Sequence, residues 1–109
     1  MTPSAKRKKA KVLVEWVAQR LRKVFPEFQI DVPEAHEHGE DLPLSPELRK
    51  MLPVSFEMKN QKGYAHLFAD MDQTIKNSNG YTPILVVKSP YKDPLVIMRW
   101  DDYENGLGI

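Results

Sequence analysis

The chain contains no cysteine. That removes disulfides, thiolate zinc sites and thiol nucleophiles together and accords with a reducing compartment. It has no apolar run long enough to cross a bilayer. Its N-terminus lacks the apolar segment and small-residue cleavage site of a secretion signal, so a cytoplasmic protein is expected. Net charge is nearly absent as well: 16 Lys and Arg against 15 Asp and Glu leave +1. An anionic partner must therefore be met by a local patch, because the field of the whole molecule is weak. There is no internal repeat. With 41% hydrophobic and 28% charged residues among 109, the composition is that of an ordinary globular protein, and a single domain over residues 1–109 is expected.

The charge that is present is unevenly placed. "MTPSAKRKKAKVLVEWVAQRLRKVF" reads as a helix, with Thr2 or Ser4 as cap and Leu13, Val17, Leu21 and Val24 at helical spacing. Lys6, Arg7, Lys8, Lys9 and Lys11 crowd its first turns. Cations at a helix N-terminus oppose the macrodipole, so helix stability does not account for them. Residues 1–11 are either a solvated, fraying start or a patch that contacts phosphate.

After Pro26, "FQIDV" reads as a short strand. Residues 33–53 are polar and proline-rich, with a turn of helix started by Ser45 and Pro46. "VSFEMKN" reads as a strand and "GYAHLFADMDQTIKNSNG" as a helix stopped at Asn79-Gly80. "TPILVVK" is continuously apolar, as in a strand covered on both faces, and "PLVIMRW" reads as another strand. A helix between strands predicts a mixed α/β sheet with a crossover connection.

Within "SFEMKNQ", alternation puts Glu57 and Lys59 on one face and Phe56 and Met58 on the other. Sixteen residues earlier the loop carries Asp41 in "GED". Two carboxylates and a lysine brought together would suit Mg²⁺ or Mn²⁺, which take a few protein oxygens and leave positions for water and phosphate. On the triplet alone, a same-face salt bridge on an exposed strand explains Glu57 and Lys59 equally well.

"GED", the run "LSPELRKMLPVSFEMKNQ" and the later "TPILVVK" resemble the small phage-associated members of the PD-(D/E)XK nuclease superfamily, related to the Holliday-junction resolvases of DNA recombination. The resemblance extends from the basic first helix to "MRWDDYENGL". It implies a restriction-endonuclease-like mixed β-sheet flanked by helices, and a divalent-metal-dependent endonuclease (a hydrolase) acting on DNA, with branched DNA as preferred substrate. It further implies that Asp41 and Glu57 hold the metal together with the Met58 carbonyl, that Lys59 is the catalytic lysine, and that Glu15 completes the metal shell through water. Gln73 stands nearest to a supporting glutamine, and Lys88 falls where relatives carry a basic residue near phosphate. Asn60 and Gln61, with the basic first helix, are the remaining DNA-binding candidates. Gly39-Glu40 replaces the proline that precedes the superfamily's aspartate, so Glu40 and Asp41 are both candidate ligands, with Asp41 preferred.

His36 and His38 in "HEHGED" could hold zinc or be solvated loop residues. "SPYKDP" presents Tyr91 and Lys92 on a turn that reaches DNA or is an ordinary hairpin. Symmetric cutting of two strands calls for a homodimer, since so small a subunit offers little surface to grip a junction. The alternatives from other classes are a non-catalytic DNA-binding or assembly protein that keeps the fold, and a structural phage protein that packs nucleic acid with its basic arm.

Overall fold

The computed structural model describes residues 3–34, 39–61 and 63–106, with residues 3–8 described as backbone only. The elements are α1 (Pro3–Val24), α2 (Pro46–Met51), β1 (Val54–Asn60), α3 (Leu67–Lys76), β2 (Thr82–Lys88), β3 (Leu95–Ile97) and α4 (Trp100–Gly106). The sheet order is β1-β2-β3. β1 and β2 are parallel in a register that pairs Glu57 with Leu85 and Lys59 with Val87, and α3 makes the crossover between them. β3 returns antiparallel to β2.

Strand alternation divides the sheet's surroundings. Phe56 and Met58 of β1, with Ile84 and Val86 of β2, pack against Leu13, Val14, Val17 and Ala18 of α1, and Leu42, Leu44 and Leu48 close the same core. The intervening residues Leu85 and Val87 face the other way, onto Met71 of α3 with Leu67, Ile75 and Ile97 around it. β2 is thus covered on both faces, which is why "TPILVVK" is apolar without interruption. β1 keeps the first face apolar and places Glu57 and Lys59 on the second.

Ser45 caps α2, its hydroxyl accepting from the Leu48 N–H at 3.2 Å, with Pro46 at the start of the helix, as its type and position predict. Three expectations need correction. "FQIDV" forms no strand: it starts in a bend at Phe28 and buries Ile30, but the Ile30 carbonyl is taken by the Arg22 guanidinium at 2.6 and 3.0 Å instead of by a neighbouring strand. The last strand is confined to Leu95–Ile97, and Trp100 opens a further helix. α3 starts at Leu67, after a turn through the segment from Gly63. α3 also ends earlier than the dipeptide signals, at Lys76 with Asn77 as its C-cap at φ −88°; Asn79 at φ 52° and Gly80 at φ 82° instead turn the chain on toward β2.

Leu85 of β2 is fully buried beneath α3. Leu85→Ala should lower unfolding free energy by about 3 kcal/mol through lost burial and a residual cavity, read from the midpoint of urea denaturation.

Candidate functional site

The outer edge of β1, the one away from β2, has no strand beside it among the described residues. It is met by the loop that carries Asp41. The Asp41 N–H donates to the Phe56 carbonyl at 3.2 Å, and the Asp41 carboxylate accepts from the Met58 N–H at 2.9 Å through Oδ2. Asp41 therefore satisfies two backbone groups that an adjacent strand would otherwise have paired. In a strand the carbonyl leaves on the same side as the N–H of its own residue, so the Met58 carbonyl also opens onto this edge.

This docking lays Asp41 against Glu57. Glu57 is only 6% exposed. Burial, and then the neighbouring Asp41 carboxylate, push its pKa up from 4.5 to about 7 against the opposing pull of Lys59. The Lys59 ammonium is 3.7 Å from Glu57 Oε1 and keeps more solvent contact. The exposed-strand ion pair is accordingly not what forms here. The carboxyl is buried, has a second acid for a neighbour, and holds a proton near neutrality. Asp41, Glu57 and the Met58 carbonyl make an all-oxygen edge with one ammonium beside it.

Glu40 and Asp41, adjacent in sequence, have separate partners. Glu40 pairs with the Arg49 guanidinium, and both side chains are about nine-tenths buried. Arg49 also donates to the Leu44 and Val54 carbonyls, each at 3.2 Å, and lies 4.2 Å over the Tyr81 ring. One guanidinium thus ties the loop to the first residue of β1 and leaves Asp41 free to reach Met58.

The other candidates are distributed around this centre. Glu15 is half-buried on α1, which packs against the face of β1 opposite Glu57, and no group of three His, Cys, Asp or Glu side chains among the described residues is placed to hold a metal ion. Gln73 is on the exposed side of α3. The amide that does meet α3 is Gln61, whose Nε2 donates to Asp70 Oδ2 at 3.1 Å. Asp70 escaped the sequence reading, although an acid among Leu67, Met71 and Thr74 on a helix's buried side is itself a signal. Asn60 points to the α1 face and donates from Nδ2 to the Lys9 carbonyl at 3.0 Å, and Lys88 lies beside Asn60 in the register. Lys9 is half-buried and Lys11 exposed, while the side chains of Lys6, Arg7 and Lys8 and the whole of His36 and His38 lie outside the described residues.

Comparison with protein-family models, with curated proteins and with solved structures finds no match to this chain. No helix among the described residues is long and apolar enough to cross a membrane.

Two outcomes follow from the geometry. Because the folded state holds the Glu57 proton up to about pH 7 and the unfolded chain releases it near 4.5, stability is greatest below pH 4.5 as far as this group is concerned and falls as pH rises to about 7. The loss approaches about 3 kcal/mol at roughly 1.4 kcal/mol per pH unit, and Glu57→Gln should flatten this part of the denaturation-versus-pH profile. Arg49→Ala, which strands the buried Glu40 carboxylate, should cost about 3 kcal/mol, and a partner change of Glu40→Gln in the same chain should recover part of that loss in a double-mutant cycle.

Proposed function

We propose that this chain is a divalent-metal-dependent endodeoxyribonuclease of the PD-(D/E)XK type, a restriction-endonuclease-like domain hydrolysing phosphodiester bonds in DNA, with branched DNA as its substrate and a twofold dimer as its working form. The observation that carries the reading is the placement of Asp41 against the buried Glu57 beside Lys59 on the open edge of β1. Residues separated by sixteen positions meet there at an energetic penalty, which a purely structural edge would not require.

The donor set fits a hard cation. Two carboxylates and a backbone carbonyl are the oxygens such ions select, and a carboxyl whose pKa burial and the neighbouring Asp41 raise to about 7 is one whose ionisation a divalent ion would favour. Asp41, Glu57 and the Met58 carbonyl would hold Mg²⁺ or Mn²⁺. When bound, the ion supplies a water of lowered pKa and positive charge for the phosphoryl oxygens.

The chain's own groups do the rest. The Asp41 carboxylate is fixed by the Met58 N–H and cannot swing away. The Lys59 ammonium donates to a non-bridging oxygen of the scissile phosphate and orients the attacking water. The bond from the water oxygen to phosphorus forms as the bond from phosphorus to its ester oxygen breaks, the attacking water giving its proton to solvent and the departing oxygen taking one from solvent, so that a phosphate monoester and an alcohol result. At the same end of β1, the bond from Asn60 to the Lys9 carbonyl pins the basic start of α1 next to Lys88, where flanking phosphates would be held by charge without regard to sequence.

Purified protein with Mg²⁺ or Mn²⁺, assayed against duplex, single-stranded, flapped and four-way-junction DNA, tests the reading directly. Lys59→Ala should lower cleavage by at least about 100-fold while DNA affinity measured in chelator stays within about twofold. Undiminished cleavage by that variant rejects the mechanism, and a wild-type protein that binds DNA but yields no product with either ion leaves a binding protein in its place.

A further inference from the structure

Beyond the C-terminal ends of β1 and β2 lies an open hollow of about 500 Å³, lined by Gly63, Tyr64, Ser89, Tyr91, Lys92 and Leu95 among others. The two loops that form it are tied together. The Ser89 hydroxyl donates to the Gln61 carbonyl at 2.9 Å and accepts from the Gly63 N–H at 3.4 Å, and the Gln61 N–H donates to the Lys88 carbonyl at 2.9 Å. Two features of the lining leave apolar side chains exposed. Tyr91 is wholly exposed, its ring packed on nothing, and it sits at φ 62°, a backbone conformation that disfavours a bulky side chain. Tyr64 and Leu95 add 44% and 52% exposed apolar surface around the same hollow. An unpacked aromatic ring at the mouth of an apolar hollow is a surface on which a flat ligand could lie.

We infer that the hollow between Tyr64 and Tyr91 receives an unpaired nucleobase of the DNA strand being cut, stacked on a tyrosine ring, and so gives the enzyme its preference for branched or frayed substrates over intact duplex. The inference rests on the nuclease reading and names a substrate contact for it. Its occupant follows from the surroundings. A base presents flat, uncharged faces that suit tyrosine, and stacking tolerates any sequence. The phosphates attached to that base need cations, which Lys92 at the rim and Lys59 and Lys88 on the adjoining strand ends supply; Asp93, also in the lining, keeps the hollow itself from being strongly charged. A fully paired strand cannot turn a base into the hollow without breaking a pair, whereas a junction or flap already offers one.

The test is equilibrium binding in chelator of a duplex and of the same duplex with a 3′ or 5′ single-stranded tail carrying a fluorescent adenine analogue, run beside the cleavage assay. Tyr91→Gly, which relieves the backbone as it removes the ring, and Tyr64→Ala should each weaken tailed-DNA binding relative to duplex, and the more severe of the two by roughly 5- to 150-fold, the loss of one base–aromatic stack. Duplex affinity should be unchanged, Tyr91→Phe should bind as wild type, and the analogue's emission should be quenched by wild type and not by the weakened variant. Tailed-DNA affinity and quenching that survive both substitutions overturn the inference, and so does a loss that falls equally on duplex. Absence of cleavage by wild type with intact quenching would instead count against the nuclease reading and leave the base site standing.

Discussion

The open edge of β1 is where this fold is most constrained, and Asp41 closes it. A strand edge left bare exposes N–H and C=O groups that invite pairing with another chain. Here a single loop residue answers two of them, accepting from the Met58 N–H and donating to the Phe56 carbonyl. The position of Asp41 is therefore set by backbone hydrogen bonding, independently of any chemistry its carboxylate performs. Arg49 provides the second restraint, joining Glu40, Leu44 and Val54 and covering Tyr81. Between them the loop is held from both sides, and two acids next to each other in sequence end in different environments: Glu40 neutralised by a guanidinium, Asp41 beside another acid.

That second environment is a local conflict. Burial of Glu57 disfavours its charged form, and Asp41 disfavours it further, so at neutral pH the folded state carries a carboxyl that water would have ionised. Lys59 only partly offsets this, being 3.7 Å away and still reached by solvent. An apolar side chain at position 57, sharing its face with Leu85 and Val87, would remove the penalty altogether. Proteins retain such conflicts where stability is exchanged for a site, and here Glu57 and Asp41 meet with no guanidinium against either of them among the described residues.

The sequence showed most of what depends on short-range pattern. Period-two alternation in "SFEMKNQ" placed Glu57 with Lys59 and opposite Met58, uninterrupted apolarity marked β2 as buried on both faces, and Ser45-Pro46 marked the start of α2. It could not show what depends on partners chosen in three dimensions. "FQIDV" has strand-like composition, but its Ile30 carbonyl is satisfied by Arg22 from α1, so the ladder is unnecessary. Gln73 and Asp70 differ by less than one helical turn, and only the docking angle of α3 decides that Asp70 meets Gln61 while Gln73 stays in solvent. Arg49 reads as one more cation on a short helix until its four contacts are seen. Glu15 fails to join the acids because α1 packs on the face of β1 that Glu57 leaves.

The same alternation limits how a long polyanion can engage the molecule. Glu57, Lys59 and Gln61 stand on the α3 side of the sheet, whereas Asn60 and Lys88 stand on the α1 side, where Asn60 fastens the basic start of α1. A substrate lying flat on either face would meet only half of these groups. Asn60, Gln61 and Lys88 come together at the C-terminal ends of β1 and β2, where Asn60 is tied to α1 and Gln61 to α3. Parallel strands present their C-terminal ends together, which is why ligands of α/β sheets gather there, and the hollow at Tyr91 lies just past these ends. A ligand that crosses that end, and not one laid along a face, is placed to meet groups from both sides of the sheet.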